Sequence, residues 1–156
     1  MGALLALGLA LYLLENAFFP VARFVPLPGA RLGLANLATL LALEMDGFKA
    51  AAVVSFSRAL LAAIFGGTFG AVAFWLSLGG AALSLLGMGV GRLLPDISII
   101  GVSVIGAVCH NLGQLAVLCL ILPNPGTLVL LPWLILLGIP AGFLTGLLAR
   151  RIQIYS

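Results

Sequence analysis

The chain has 156 residues, of which 63% are hydrophobic and 7% charged. So little charge cannot dress a water-facing surface, which excludes a soluble globular domain and makes the chain an integral membrane protein. Its net charge of +3 comes from seven basic residues scattered along the sequence, so no basic patch is available for nucleic acid.

Residues 2–19 are apolar enough for a first spanning helix, which Pro20 ends. A signal peptide is the competing reading, but no basic segment precedes the apolar run and no clear small-residue cleavage site follows it. Gly2, Ala6 and Ala10 recur every four residues, leaving one side of this helix nearly free of side chains and open to close approach by another helix. Glu15 adds a carboxylate that spanning does not require. Residues 20–30, PVARFVPLPGA, hold three prolines and Gly29 and read as an irregular cap. A short apolar helix over 31–43 follows, carrying Arg31 and Asn36. Its length of about 20 Å falls short of a hydrocarbon core of about 30 Å, so it must be short, tilted or shielded by protein.

Residues 44–47 make a polar turn, and the third helix spans 48–64 with Arg58 well inside it and Ser55 on the same face. Gly66, Gly67 and Gly70 bracket the next turn. The fourth helix, 71–94, carries a small or weakly polar stripe of Ser77, Gly80, Ala81, Ser84 and Met88. Arg92, Pro95 and Asp96 mark another aqueous crossing before the fifth helix, 97–122. At its centre lies SVIGAVCHNLGQ, which sets His110, Asn111 and Gln114 in one sector at about 100° per residue. Such side chains are costly in lipid and should face a protein interior or a wet cavity; either they tie helices together or they form a site. Cys109 and Cys119 fall about 15 Å apart on this helix, too far for a mutual disulfide. The sixth helix, 127–149, carries Gly138, Gly142 and Gly146 in successive GxxxG spacing and Pro140 within it.

The expected fold is therefore an all-α bundle of six transmembrane helices in one membrane domain, 1–156. Six crossings put both termini on one side, and Lys49, Arg92, Arg150 and Arg151 against Arg23 and Arg31 assign that side to the cytoplasm. In that topology Glu15, Arg31, Asn36, Arg58, Ser77, His110, Asn111 and Gln114 all lie at mid-depth or in the outer half, although they come from five helices. They are the candidate substrate-binding residues.

Three segments carry a family resemblance: PGARLGLANLATLLAL from Pro28, SFSRALLAAIFGG around Arg58 and, most specifically, IIGVSVIGAVCHNLGQL from Ile99. The chain resembles the small membrane proteins called heptaprenyl diphosphate synthase component I, or Gx transporters, which are grouped with the substrate-binding S components of energy-coupling-factor transporters. The resemblance implies six helices, an externally accessible site in the plasma membrane, and assembly with a membrane T component and two cytoplasmic ATPases. It also implies that an AxxxA pattern in the first helix meets the T component; Ala6 and Ala10, with Gly2, match that pattern here.

The synthase in the family's label is a separate matter. Prenyl diphosphate synthases hold magnesium and diphosphate on clustered carboxylates such as DDxxD, whereas Glu15, Glu44, Asp46 and Asp96 form no such cluster. There is no Walker A lysine motif, and a lone histidine with a distant Asp96 makes no triad. The chain is therefore expected not to be an enzyme, to have no catalytic residue, metal or cofactor, and to leave ATP hydrolysis to its partners. The alternatives are a membrane accessory subunit of a prenyl diphosphate synthase and a structural scaffold. Arg58 and Arg31 point to an anionic substrate, His110, Asn111 and Gln114 to hydroxyl or carbonyl groups on it, and the association with isoprenoid and quinone metabolism to a vitamin- or quinone-precursor-like compound.

Overall fold

The computed structural model describes residues 2–18 and 36–154. Arg31 and the cap expected over 20–30 lie outside the described residues. All regular structure among the described residues is helical: α1 (Gly2–Phe18), α2 (Asn36–Asp46), α3 (Phe48–Phe65), α4 (Val72–Leu93), α5 (Ile99–Ile121), a 3-10 turn (Pro125–Leu130) and α6 (Leu131–Ile154). The described helices cover the expected hydrophobic runs with shifted bounds: residues 44–46, expected in a turn, continue α2, and α6 runs from Leu131 to Ile154 in place of 127–149. The count of six crossings needs correction, however. Among the described residues four helical segments are long and apolar enough to cross a bilayer, Phe48–Phe65, Val72–Leu93, Ile99–Ile121 and Gly126–Gln153. As described, α1 has 17 residues and α2 only 11.

Turn chemistry explains most of the boundaries. Gly47 takes φ 85°, a left-handed conformation that glycine adopts without penalty, and folds α3 directly back on α2. Gly67 and Gly70, at φ 63° and 78°, do the same between α3 and α4. Ser98 caps α5 by accepting a hydrogen bond from the Gly101 amide at 3.3 Å. Asn124 accepts from the Gly126 amide at 2.9 Å, and Pro125 then opens the 3-10 turn. Helix α6 runs unbroken through Pro140.

Short helix α2 is the centre of the bundle. It contacts all five other described helices, and every residue from Asn36 to Leu43 is buried. Protein replaces lipid around it, so its 11 residues need not match the thickness of a membrane. Helix α1 runs parallel to α3, burying Gly8, Tyr12 and Glu15 against the bundle while Gly2, Ala6 and Ala10 face outward.

The tightest packing joins α4, α5 and α6. A Cβ at Gly113 would collide with the Gly79 carbonyl oxygen, so α4 and α5 meet backbone to backbone. On the other side of α5, a Cβ at Gly142 would lie 2.6 Å from the Val104 Cα, and one at Gly146 would lie 2.7 Å from the Ile100 Cα. The GxxxG repeat of α6 is thus an internal contact with α5, in which absent side chains allow close antiparallel approach and extensive dispersion.

Two ends of the bundle can be distinguished. The basal end holds the start of α1, the α2–α3 and α4–α5 turns and the end of α6; the apical end holds the α3–α4 and α5–α6 connections. Among the described residues every charge except Glu15 and Arg58 is basal, including an ion pair between Arg92 Nε and Glu44 Oε1 at 3.0 Å. The basal half of the interior is an apolar plug of Leu40, Leu41, Val54, Leu85, Met88 and Val102.

Candidate functional site

Above that plug the interior turns polar, and helix register shows why the polar residues meet. Because α2 and α3 form a hairpin over Gly47, residues equidistant from it stand at about equal height: Asn36 with Arg58, Thr39 with Ser55. The Phe48 ring lies against Gly89 at the basal end, so ten residues up α3 and ten back along α4 bring Arg58 level with Gly79 to within about a turn. On α5 the partners of this level are seen directly. A Cβ at Gly80 would lie 2.8 Å from His110 Cε1 and 2.9 Å from Gln114 Cγ, so both side chains lie on the bare α4 backbone.

Arg58 is only 2% exposed. Its stem is held by α1 and α2, since the missing Cβ of Gly8 would be 3.0 Å from both Arg58 Cδ and Ala38 Cβ. Glu15, 4% exposed, lies two turns apical to Gly8 on the same face of α1, a rise of about 10 Å. Tyr12 lies between them in sequence, with its hydroxyl 3.8 Å from the Cβ position of Gly66 at the apical end of α3. Asn36, Arg58, Ser77, His110 and Gln114 therefore form one buried layer from four helices, with Glu15 at its apical side.

Satisfaction of the hydrogen-bonding groups separates the members of this layer. Asn111 turns away from α4 and donates through Nδ2 to the Leu134 carbonyl at 2.7 Å, in space that Gly138 leaves open. It ties α5 to α6. By contrast, Gln114 Oε1, Ser84 Oγ and Thr39 Oγ1 are buried with no hydrogen-bond partner among the described residues. A buried acceptor left unmade costs about 1–3 kcal/mol, and of these three atoms Gln114 Oε1 is the one that stands beside His110 at the level of Arg58.

A family model described as heptaprenyl diphosphate synthase component I matches residues 4–152. The chain belongs to that family. No curated protein and no solved structure is detectably similar to it. In this member of the component I family, the segment around His110 builds two different contacts: His110 and Gln114 face α4, and Asn111 faces α6. Reading the three as one sector overlooked the roughly 60° between positions 111 and 114. Tyr12, Thr39 and Ser84 belong to the polar interior but were not expected in the site. Hydroxyls in membrane helices commonly serve packing, so nothing in their residue type marks them, and their burial emerges only from the folded helices.

Proposed function

We propose that this component I protein is the substrate-binding S subunit of an energy-coupling-factor type uptake transporter, taking a small anionic, vitamin- or quinone-precursor-like compound from outside the cell. The observation that carries this reading is the position of Arg58: a guanidinium buried at 2% exposure, level with His110, Gln114 and the unpartnered Gln114 Oε1, above an apolar plug. A buried cation is expensive to maintain and is suited to holding a carboxylate or phosphate, with the neighbouring amide and imidazole giving direction. A site sealed basally and polar apically is suited to capture from the apical side, and the basal clustering of Lys49, Arg92, Arg150 and Arg151 supports an exterior apical side by the positive-inside tendency.

The exposed strip of Gly2, Ala6 and Ala10 supports assembly with a membrane T component, because the bundle itself uses the opposite face of α1. Two cytoplasmic ATPases would then supply the energy, the chain itself performing no catalysis and needing no metal or cofactor.

A second reading, taken from the wording of the family's description alone, is a membrane component of a prenyl diphosphate synthase. Separate affinity purifications with the T component and ATPases and with a soluble synthase subunit distinguish the two by which complex survives. Mass spectrometry of small molecules carried through purification tests the site. One anionic compound in near-stoichiometric amount is expected with the wild type and absent from Arg58→Gln; equal carry-over in both would overturn the assignment.

A further inference from the structure

At the basal end, away from the polar layer, α3 and α4 enclose an open groove of about 390 Å³. Phe48, Leu86, Gly89, Val90 and Leu93 wall it, and Arg92 is the charged residue that lines it. Because Gly89 has no side chain, the Phe48 ring lies directly on the α4 backbone at one wall of the groove; a Cβ at Gly89 would be 2.7 Å from the ring. Leu86, Val90 and Leu93 are exposed on a helix long and apolar enough to cross a bilayer, where such side chains are suited to hydrocarbon and not to water.

Arg92 gives the groove a polar end. Its Nε is engaged by Glu44 at 3.0 Å, while the side chain as a whole remains 55% exposed. An arginine anchored through Nε keeps both terminal nitrogens for a second acceptor, and their planar fork matches two oxygens of a phosphate. Glu44 thus orients the guanidinium at the groove, where a lone flexible cation would sweep a wide arc.

We propose that this groove is a binding site for one glycerophospholipid, with an acyl chain laid against Phe48, Gly89 and Val90 and the phosphate on Arg92. Apolar walls of membrane-spanning helices ending at an oriented guanidinium are complementary to the two parts of such a molecule. The site is independent of the apical polar layer and of the transport reading.

Native mass spectrometry of the detergent-purified protein tests it, with dipalmitoyl phosphatidylglycerol, dipalmitoylglycerol and inorganic phosphate as probes. Saturable binding of a single phosphatidylglycerol is expected, at least about tenfold tighter than dipalmitoylglycerol and not displaced by phosphate. Arg92→Ala should weaken phosphatidylglycerol to the level of dipalmitoylglycerol, and Val90→Trp, at an exposed position, should fill the groove and weaken both lipids. Glu44→Gln should lower affinity less than Arg92→Ala, because the cation remains. Equal affinity for the two lipids would remove the phosphate site, and displacement by inorganic phosphate would show a site for the anion alone and overturn the lipid; unchanged binding by Val90→Trp would remove the groove.

Discussion

Individual side chains in the polar layer divide into those whose bonds are made within the protein and those left for something else, and mutation should reveal the division. Asn111 has a defined partner in the Leu134 carbonyl. Asn111→Ala is expected to lower stability by about 1 kcal/mol, seen as a reduced melting temperature, with ligand affinity retained. Gln114→Ala should do the opposite, because its carbonyl oxygen has no partner among the described residues to lose. It should weaken ligand binding by at least about tenfold, roughly 1.4 kcal/mol, at nearly constant apo melting temperature, and Arg58→Gln should weaken binding by at least as much. Loss of apo stability with normal binding in both would make them scaffold. The same contrast shows what could be read from the residues alone. Arg58, His110 and Gln114 stand out because charge and amide groups in an apolar run demand an explanation. Whether a given amide serves helix packing or a ligand depends on a neighbouring helix, and no spacing within α5 reveals that α6 presents a carbonyl beside Asn111.

At the level of helices, the small-residue motifs have separate destinations. The α6 repeat packs inward on α5, where a Cβ at Gly142 would be 2.9 Å from the Ser103 carbonyl oxygen as well as 2.6 Å from the Val104 Cα. Backbone cannot rotate aside as a side chain can, so Gly142→Val is expected to destabilise the protein by at least about 2 kcal/mol, measured by thermal unfolding in detergent. The α1 strip faces outward, and Ala6→Trp or Ala10→Trp should leave folding and ligand binding intact but abolish co-purification with a T component. Unchanged complex yield from both would remove the strip's assigned role. Both motifs look alike in sequence, as small residues four apart. Their faces became distinguishable only once Gly8, Tyr12 and Glu15 were found buried on α1. Likewise the shortness of α2 was evident from its hydrophobic run, but its place at the centre follows from its neighbours.

For the molecule as a whole, orientation can be tested after replacing Cys109 and Cys119 with serine. A new cysteine within 20–30 should react with an impermeant reagent added to intact cells, and one at Ser156 should not; the reverse pattern would invert the assignment of the apical end to the exterior. The glycine-lined contacts of α4, α5 and α6 have a mechanical meaning as well. Where backbone rests directly on backbone, no layer of side chains is available to shear or change rotamer, so these three helices form a stiff plate. Helices α1 to α3 meet the plate through bulkier groups such as Phe48 and are joined to it by the Gly67–Gly70 connection. Arg58 stands on one side of this dividing line, and His110 and Gln114 stand on the other. Any movement across the line would change the gap between Arg58 and those two side chains without deforming either half, and amide hydrogen exchange should be slowest in the middle of α5.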